Sequence, residues 1–255
     1  MKDLFSLKGR VALITGGSRG IGRMIASGYL QHGARVYISA RKAEACDATA
    51  AELSALGPCI SLPADVSTVA GARALAAALA EREPALDILV HNAGAAWGEP
   101  FETFPEKGWD KVMDLNVKSP FFLTQALHGL LCKGAQTRPA KVINVASIDG
   151  ISVNPWETYS YAASKAGLIH LTKRMALRLV QDRIMVSGIA PGAFASEMNK
   201  EARDHGDEVA GRIPAGRIGT DEDMAGVAIY LASRAGDYVV GQTFAVDGGV
   251  TLARG

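Results

Sequence analysis

VALITGGSRGIG, residues 11–22, is the stretch of sequence that decides the fold. Its apolar first half indicates a buried strand, and the glycine-rich second half follows at once and begins a helical pattern. Glycines let the backbone turn sharply and approach a pyrophosphate, while the new helix offers free N–H groups and the positive end of its dipole to phosphates. A glycine-rich turn alone could be an ordinary turn, but its place after a first strand favours a dinucleotide site.

Outward from this stretch, short runs rich in β-branched residues alternate with longer stretches of helical periodicity. Strands are predicted at residues 10–15, 34–39, 59–64, 87–90, 141–146, 184–189 and 243–246. Helices are predicted at residues 21–32, 43–56, 71–82, 107–131, 159–180 and 222–232. This alternation is typical of right-handed βαβ units. The sequence therefore predicts an α/β fold, a single Rossmann-type domain over residues 1–255 with a doubly wound parallel sheet of about seven strands flanked by helices.

One connection is unusually long for this pattern. Glycines and charged residues interrupt the periodicity over residues 191–214. Long connections in compact domains often bind or cover ligands. We therefore expect a substrate loop at about residues 191–214.

Composition narrows the class of partner. The 27 Lys and Arg residues nearly balance the 26 Asp and Glu residues, for a formal charge of +1, so no overall field favours nucleic acid. No apolar run approaches the ~18 residues of a membrane span, and residues 1–10 lack the apolar core of a signal peptide. Cys46, Cys59 and Cys132 are far apart, and neither they nor the histidines have the spacing of a metal site. We expect a cytoplasmic protein with reduced thiols, no metal, no membrane or nucleic-acid partner, and a small-molecule substrate.

The end of the second strand bears on the choice of cofactor. NAD-binding proteins usually keep an acid there for the ribose hydroxyls, but this chain has Ala40 followed by Arg41. Arg41 and Arg19 could hold an additional 2′-phosphate, which favours NADP(H). The alternative is that both arginines are solvated surface charges. Asp65, after the third strand, could contact the adenine edge or could cap a helix.

The candidate reactive groups begin with Tyr161 and Lys165. They are four residues apart at the head of a predicted helix and therefore share one face. A nearby ammonium would lower the pKa of the phenol and make it a proton donor and acceptor. Such a pair occurs by chance in many helices, but Ser147 closes the fifth predicted strand at the edge where ligands gather. A serine nucleophile is discounted, because no Gly-x-Ser-x-Gly elbow surrounds Ser147.

This ordered set of motifs resembles the short-chain dehydrogenase/reductase family over nearly the whole chain. The resemblance rests on Thr15, Gly16, Gly20, Gly22, Asp65, Asn92, Ala93, Gly94, Asn116, Ser147, Tyr161, Lys165, Pro191, Gly192, Asp247, Gly248 and Gly249. It implies Tyr161 as general acid/base, Lys165 on the nicotinamide ribose, Ser147 on the substrate carbonyl and Asn116 in a water-linked proton relay. Together with the glycine-rich turn, it assigns cofactor contacts to Thr15, Gly16, Ser18, Arg19, Gly20, Ile21, Gly22, Arg41, Asp65, Val66, Asn92, Ala93, Gly94, Tyr161, Lys165, Pro191, Gly192 and Ser196. A homo-oligomer, tetramer or dimer, is also implied, through the two long helices at residues 107–131 and 159–180.

The chain departs from the family pattern at three places. His91 stands where the family usually has Asn, which should change a local hydrogen-bonding partner and leave the turn intact. Ser147 and Tyr161 are one residue further apart than is commonest, which raises Tyr159 as a rival, although the spacing to Lys165 favours Tyr161. Ser196 replaces a usual Thr and keeps a hydroxyl for the nicotinamide carboxamide.

The substrate is less constrained than the reaction. Residues 5–10, 39–41 and 149–152 resemble the 3-oxoacyl reductases that include the rhamnolipid-associated enzymes. Trp97, Trp156, Phe194 and Met198 could line an apolar pocket or could pack on their own scaffold. We expect NADPH-dependent reduction of a carbonyl, first of a 3-oxoacyl thioester. The alternatives are a sugar, polyol or hydroxysteroid dehydrogenase and a non-catalytic dinucleotide-binding regulatory protein.

Overall fold

In the computed structural model, which describes residues 3–253, the centre of the molecule is a seven-stranded parallel sheet. Its strands are β1 Val11–Thr15, β2 Arg35–Ser39, β3 Cys59–Ser61, β4 Ile88–His91, β5 Ala140–Val145, β6 Ile184–Pro191 and β7 Thr243–Val246. All seven predicted strands are confirmed. The largest differences at their ends are in β3, which is shorter than predicted, and in β6, which continues to Pro191.

The strand order is β3-β2-β1-β4-β5-β6-β7, and every neighbouring pair is parallel. The chain leaves β3 at one edge and returns to pair β4 beside β1, so the winding direction reverses between β1 and β4. Ligands of such sheets bind outside the carboxyl ends of the strands at this reversal. The glycine-rich turn lies at that place, because it directly follows β1.

Helices cover both faces of the sheet, as predicted for a doubly wound fold. The α-helices are α1 Gly20–Gln31, α2 Ala43–Leu53, α3 Val69–Ala80, α4 Glu106–Met113, α5 Ser119–Gly134, α6 Tyr159–Leu179, α7 Lys200–Asp204, α8 Gly206–Ala210, α9 Asp221–Ala232 and α10 Val250–Ala253. Successive side chains of β1 point to opposite faces, so Ile14 packs with α1, α2 and α9, whereas Leu13 packs with α3, α5 and α6. Both faces are apolar, which explains the nearly continuous hydrophobic strands. No helix within residues 3–253 is both long and apolar enough to cross a bilayer.

The prediction of one continuous helix over residues 107–131 is wrong. The structure divides it into α4 and α5, joined by a π-helical turn at Asp114–Lys118. In this turn the N–H of Ser119 donates to the carbonyl of Asp114, five residues back. Pro120, the second residue of α5, has no N–H to donate to the carbonyl of Asn116, four residues back, so the regular ladder is interrupted there.

The long connection after β6 contains some regular structure. It includes the short helices α7 and α8, and Phe194 forms an isolated parallel bridge with Gly219. The segment 191–214 is therefore folded onto the domain through part of its length. Its function as a substrate loop stays a prediction.

Candidate active site

The glycine-rich turn needs glycine at positions where a side chain has no room. Gly20 has φ of +51°, a left-handed conformation that favours glycine. A Cβ at Gly22 would lie 2.3 Å from the carbonyl oxygen of Gly16. This close approach keeps the first turn of α1 directly over the end of β1, and a larger residue at Gly22 would force the two apart.

The N-terminus of α1 faces the solvent with the properties expected of an anion site. Arg19 precedes the helix in an extended conformation and does not cap it with its side chain, and the first turn carries no acid. The N–H groups of this turn and the helix dipole are therefore available to a phosphate. The Thr49 hydroxyl on α2 lies 2.9 Å from the carbonyl oxygens of both Ser18 and Ala45, so its one hydrogen is shared between this turn and α2 itself. The side chain of Ile21 packs against the core, so a cofactor contact there would use its backbone.

Thr15 and Asn92 join the ends of β1 and β4. The Thr15 hydroxyl accepts the N–H groups of Asn92 and Ala93, both at 3.1 Å. The Asn92 amide donates to the carbonyls of Thr15 and Gly16, at 3.1 and 3.0 Å. These bonds hold the glycine-rich turn against the end of β4. The amide group of Asn92 therefore bonds to the protein backbone in this structure. His91 does not disturb this arrangement, as predicted.

The predicted 2′-phosphate site lies at the ends of β1 and β2. Arg19 and Arg41 are both exposed and follow these adjacent parallel strands at the same edge of the sheet. The backbone N–H of Ser67, and then the charge of Arg41, hold the pKa of Asp65 below its ordinary value. Asp65 forms a turn with Ser67, whereas Thr68 caps α3, so the reading of Asp65 as the helix cap is wrong. Val66 is buried in the core.

Ser147, Tyr161 and Lys165 come together where β5 ends and α6 begins. The side chain of Ser147 lies beside the Tyr161 hydroxyl, where it acts to lower the pKa of the phenol. The ammonium of Lys165 lies 5.6 Å from the centre of the Tyr161 ring and donates a 2.8 Å bond to the carbonyl of Val145. Lys165 is almost completely buried, and a Cβ at Gly94 would lie only 3.7 Å from its ammonium nitrogen. The three predicted reactive residues therefore share one site with the loop that follows β4.

Burial dominates the ionisation of this site. It raises the pKa of Tyr161 to about 12, although the neighbouring Ser147 side chain acts in the opposite direction. The expectation of a lowered pKa for this phenol is therefore wrong as to the net shift, because burial outweighs what lowers it. Burial also lowers the pKa of Lys165 to about 8. Both shifts have one cause, since a desolvated site disfavours the phenolate and the ammonium alike.

Tyr159, the rival to Tyr161, points away from the site. Its hydroxyl is 3.0 Å from a carboxylate oxygen of Glu157, and its ring makes edge contacts with Phe101 and Phe104. The bond to Glu157 raises the pKa of Tyr159. The geometry thus separates the two tyrosines, with Tyr161 inside the site and Tyr159 outside it.

The side chain of Asn116 links three parts of the site. Its amide oxygen accepts the N–H of Ala95, and its NH₂ group donates to the carbonyl of Ala95 and to the Ser164 hydroxyl, all at 2.9 Å. Ser164 in turn donates to the carbonyl of Tyr161 at 2.8 Å. This chain of bonds holds the loop after β4 against the first turns of α6. The contacts of the Asn116 side chain are therefore those of a positioning residue.

The segment after β6 approaches the phosphate-binding turn. A Cβ at Gly20 would lie 3.1 Å from the Cβ of Ser196. The hydroxyl of Ser196 accepts the N–H of Asn199 at 3.1 Å. Pro191 ends β6, and the N–H of Gly192 donates to the carbonyl of Val246 at 2.9 Å. The three residues predicted here for the cofactor therefore lie at the same edge as the turn.

Comparison with known proteins decides the family. A family model described as enoyl-(acyl carrier protein) reductase matches residues 16–251. The chain is 50% identical to the rhamnolipids biosynthesis 3-oxoacyl-[acyl-carrier-protein] reductase of Pseudomonas aeruginosa, over 99% of this chain and 100% of that protein. This chain belongs to the short-chain dehydrogenase/reductase family.

The other similar proteins agree with this family, and their names include substrates of a different class. The solved structure of the Pseudomonas aeruginosa RhlG/NADP active-site complex superposes with a TM-score of 0.95 at 49% identity, covering 98% of this chain and 100% of that chain. The gluconate 5-dehydrogenase of Gluconobacter oxydans is 37% identical over 98% of each chain. The chain is therefore an oxidoreductase of this family, which argues against the non-catalytic regulatory alternative.

The aromatic residues expected near the substrate of this short-chain reductase divide into two groups. Phe194 is 2% exposed and packs against Gly219, and the ring of Trp97 packs against Gly108 beneath the ammonium groups of two lysines. For these two, packing on the scaffold is what the structure shows. Trp156 and Met198 are more than half exposed and remain candidates for contact with substrate.

Two residues of the site were missed in the sequence. Ser164 completes the chain of bonds from Asn116, and its place three residues after Tyr161 on a helix could have indicated it. Asp149 follows Ser147 by two residues and donates its N–H to the Ser147 hydroxyl at 3.2 Å. Its negative charge raises the pKa of Tyr161, in the same direction as burial but to a smaller extent. It also raises the pKa of Lys165, in which case it opposes burial.

Proposed function

We propose that the protein is an NADPH-dependent reductase that converts the 3-keto group of 3-oxoacyl thioesters to a 3-hydroxyl. The observation that carries the reaction type is the convergence of Ser147, Tyr161 and Lys165 at the carboxyl end of β5. Bound NADPH would supply the hydride at this place.

The three side chains have separate tasks in the proposed reaction. Ser147 and Tyr161 hold the substrate oxygen, and Tyr161 gives its proton to that oxygen as negative charge develops there. A phenol with a pKa of about 12 carries its proton throughout the neutral range, as a donor must. Lys165, with a pKa of about 8, is mainly an ammonium at neutral pH and stabilises the phenolate that remains.

The proton on Tyr161 has to be replaced from solvent after each turnover. We place the family's relay at the main-chain carbonyl of Asn116, because the side-chain amide is engaged by Ala95 and Ser164. Pro120 lacks the N–H that would occupy this carbonyl in a regular helix. The interruption of the helix therefore leaves this carbonyl available to the proposed relay.

The cofactor is NADP(H) in this proposal. Exposed Arg19 and Arg41 follow the two strands that flank the expected ribose, and Ala40 brings no carboxylate that would repel a 2′-phosphate. The similar structure from Pseudomonas aeruginosa is an NADP complex. The other proposed cofactor contacts are Thr15, Gly16, Ser18, Gly20, Ile21, Gly22, Asp65, Val66, Asn92, Ala93, Gly94, Tyr161, Lys165, Pro191, Gly192 and Ser196.

Two observations favour a thioester over the sugar acids. The relative at 50% identity is a 3-oxoacyl-[acyl-carrier-protein] reductase, whereas the gluconate dehydrogenase is at 37%. In addition, the charge of Asp149 acts on both Tyr161 and Lys165. A carboxylate near the reacting atoms repels an anionic sugar acid and is indifferent to the uncharged ketone of a thioester.

The proposed function is tested by following NADPH and NADH oxidation with a panel of ketones. The panel contains acetoacetyl and longer 3-oxoacyl thioesters, a keto-sugar acid, an uncharged keto-sugar and cyclic ketones. Selective turnover of thioesters with NADPH is expected. Turnover of a sugar or cyclic ketone with inert thioesters would overturn the substrate, and no turnover of any ketone would overturn the proposed reaction.

The Asp149→Asn variant tests the electrostatic part of the substrate argument. Removal of this charge is expected to raise kcat/KM for a keto-sugar acid relative to a thioester by roughly five- to tenfold, on a Coulomb estimate for partly screened charges. Asp47→Asn, a change at an exposed position of α2, is the control and should leave this ratio of kcat/KM values unchanged. An unchanged ratio in Asp149→Asn would show that this carboxylate does not select against anions.

We also propose a homo-oligomer formed through α5 and α6. Phe121 on α5 and Leu177 on α6 are 41% and 69% exposed, although both are large and apolar. Sedimentation velocity should show a dimer or tetramer. A monomer at micromolar concentration would contradict this assignment.

A further inference from the structure

A second group of chemically active side chains lies away from the proposed active site. His128 and Cys132 are one turn apart on α5, and Asp182 ends the 3₁₀ turn that follows α6. The Nε2 atom of His128 is 2.9 Å from Oδ2 of Asp182 and 3.5 Å from Sγ of Cys132. The three donor atoms all lie within 4.8 Å of one another, and each side chain is partly buried.

The geometry is not that of a cysteine nucleophile with a histidine base. In such a triad the base faces the nucleophile with one ring nitrogen and the orienting acid with the other. Here the carboxylate oxygen and the sulfur both lie nearest to Nε2, since the sulfur is 4.0 Å from Nδ1. Burial also raises the pKa of Cys132, so the thiol is not activated. Three donor atoms within 4.8 Å of one another are close enough for one ion to bind them all.

We propose that His128, Cys132 and Asp182 bind a divalent transition-metal ion of the zinc type, with a water as fourth ligand. Zinc–ligand bonds of about 2.3 Å to sulfur and about 2.0–2.1 Å to nitrogen and oxygen, at tetrahedral angles, separate nitrogen from sulfur by about 3.6 Å and nitrogen from oxygen by about 3.3 Å. The observed 3.5 and 2.9 Å lie close to these separations, and the sulfur, now 4.0 Å from Nδ1, would move roughly 1 Å away from that atom to share an ion on Nε2. Thiolate, imidazole and carboxylate are together a zinc-type donor set.

The surroundings leave room for the ion and its water. Cys132 and Asp182 line an open recess of about 350 Å³, together with Ala135, Gln136, Gln181 and Arg183. Binding would require the Cys132 thiol to release its proton to solvent. It would also shift the hydrogen bond that Arg178 makes to Oδ2 of Asp182 at 2.7 Å, and the guanidinium of Arg178 is half exposed.

A metal at this place would join two parts of the fold. His128 and Cys132 belong to the C-terminal half of α5, while Asp182 lies two residues before the start of β6. An ion that binds the folded chain more tightly than the unfolded chain stabilises the fold. The site is separate from the proposed reductase chemistry, so it does not depend on the proposed function.

The test uses the reduced, full-length protein with Co²⁺ and Zn²⁺ as probes. Co²⁺ should give a thiolate charge-transfer band and the visible bands of a tetrahedral ion, and Zn²⁺ should displace it with one ion per chain. Cys132→Ser and His128→Gln should each weaken binding by roughly a hundredfold or more, since even outer ligands of metal sites contribute 10–100-fold. His170→Gln, on the exposed face of α6, is the matched control and should bind like wild type.

Zn²⁺ should also raise the melting temperature of the wild-type protein and of the His170→Gln control, but not that of Cys132→Ser. This readout and the cobalt spectrum are independent of enzymatic activity. Co²⁺ binding without a thiolate band, or equal affinity in wild type and Cys132→Ser, would overturn the proposal. Either result would assign the three side chains to a hydrogen-bonded cluster that links α5 with the end of α6.

Discussion

At the scale of single residues, desolvation sets the properties of the proposed reactive groups. Lys165 is buried with its ammonium against the Val145 carbonyl, and the Tyr161 hydroxyl lies beside the Ser147 side chain. The lowered pKa of Lys165 and the raised pKa of Tyr161 leave both groups protonated near neutral pH. The site is thus prepared for delivery of a proton to a ketone.

Tyr161→Phe should retain NADPH binding and lose turnover. Removal of a positioned general acid lowers kcat by roughly 10²- to 10⁴-fold, while the ring still fills its place. Cofactor fluorescence titration and steady-state kinetics measure the two effects separately. Tyr159→Phe is the matched control and should keep near-normal kcat, because its hydroxyl faces Glu157. A near-normal rate in Tyr161→Phe would refute its assignment as the acid.

Arg41→Asp should shift the cofactor preference toward NADH. The change removes a charge-assisted bond to the 2′-phosphate and adds a repulsive carboxylate, so the ratio of kcat/KM for NADPH and NADH should fall by roughly ten- to a hundredfold. Lys42→Asp changes the charge at the next, equally exposed residue and serves as the control. If both variants shift the ratio equally, the effect belongs to the general field and not to a specific contact.

At the scale of elements, the packing of α1 against α9 shows how close approach is built into the fold. A Cβ at Gly28 of α1 would lie 2.7 Å from the Cβ of Ala225 on α9. Gly226, the next residue on α9, is exposed, and a Cβ there meets no atom within 4 Å. Close packing therefore requires glycine at Gly28, whereas nothing in the packing of these two helices requires it at Gly226.

Gly226→Ala should stabilise the protein by about 0.5–1 kcal/mol, because alanine has the higher helix propensity and the site is open. Gly28→Ala should destabilise it, since the two helices must separate. Urea unfolding at equilibrium measures both changes. Stabilisation by Gly28→Ala would contradict the close packing of α1 on α9.

At the scale of the whole molecule, the sheet is held between two helical layers, and His91 links β4 to the layer that contains α5. Its Nε2–H donates to the Thr124 hydroxyl on α5 at 2.8 Å, because that hydroxyl itself donates to the Pro120 carbonyl. Burial lowers the pKa of His91 to about 3. The folded chain therefore keeps this imidazole neutral, whereas the unfolded chain protonates it near pH 6.5.

The sign of the resulting pH dependence follows from these two values. Between pH 6.5 and about 3 the unfolded state binds the extra proton, so this residue makes the free energy of unfolding fall as the pH falls. From pH 6.5 to pH 5 the loss is about 2 kcal/mol. His91→Asn should remove this part of the acid sensitivity, whereas His170→Asn, which is exposed, should not. Equal slopes for wild type and His91→Asn in urea unfolding against pH would contradict a buried neutral His91.

The sequence alone predicted the seven strands, the doubly wound α/β class, the phosphate-binding turn, and the Ser147, Tyr161 and Lys165 set. These features are local or have fixed spacing. Apolar runs define buried strands, glycine defines the turn, and a separation of four residues places two side chains on one helix face. The cytoplasmic location stays a prediction.

Tertiary structure decided what depends on contacts between distant segments. The interruption between α4 and α5, the bonds of Asn116 to Ala95 and Ser164, and the place of Phe194 in the core were not visible in the sequence. The direction of the Tyr161 pKa shift was predicted wrongly, because desolvation arises only when several elements enclose the phenol. Asp182 likewise joins His128 and Cys132 only after α5 packs beside the end of α6, since the spacing along the chain places those two on one helix face but does not indicate the carboxylate.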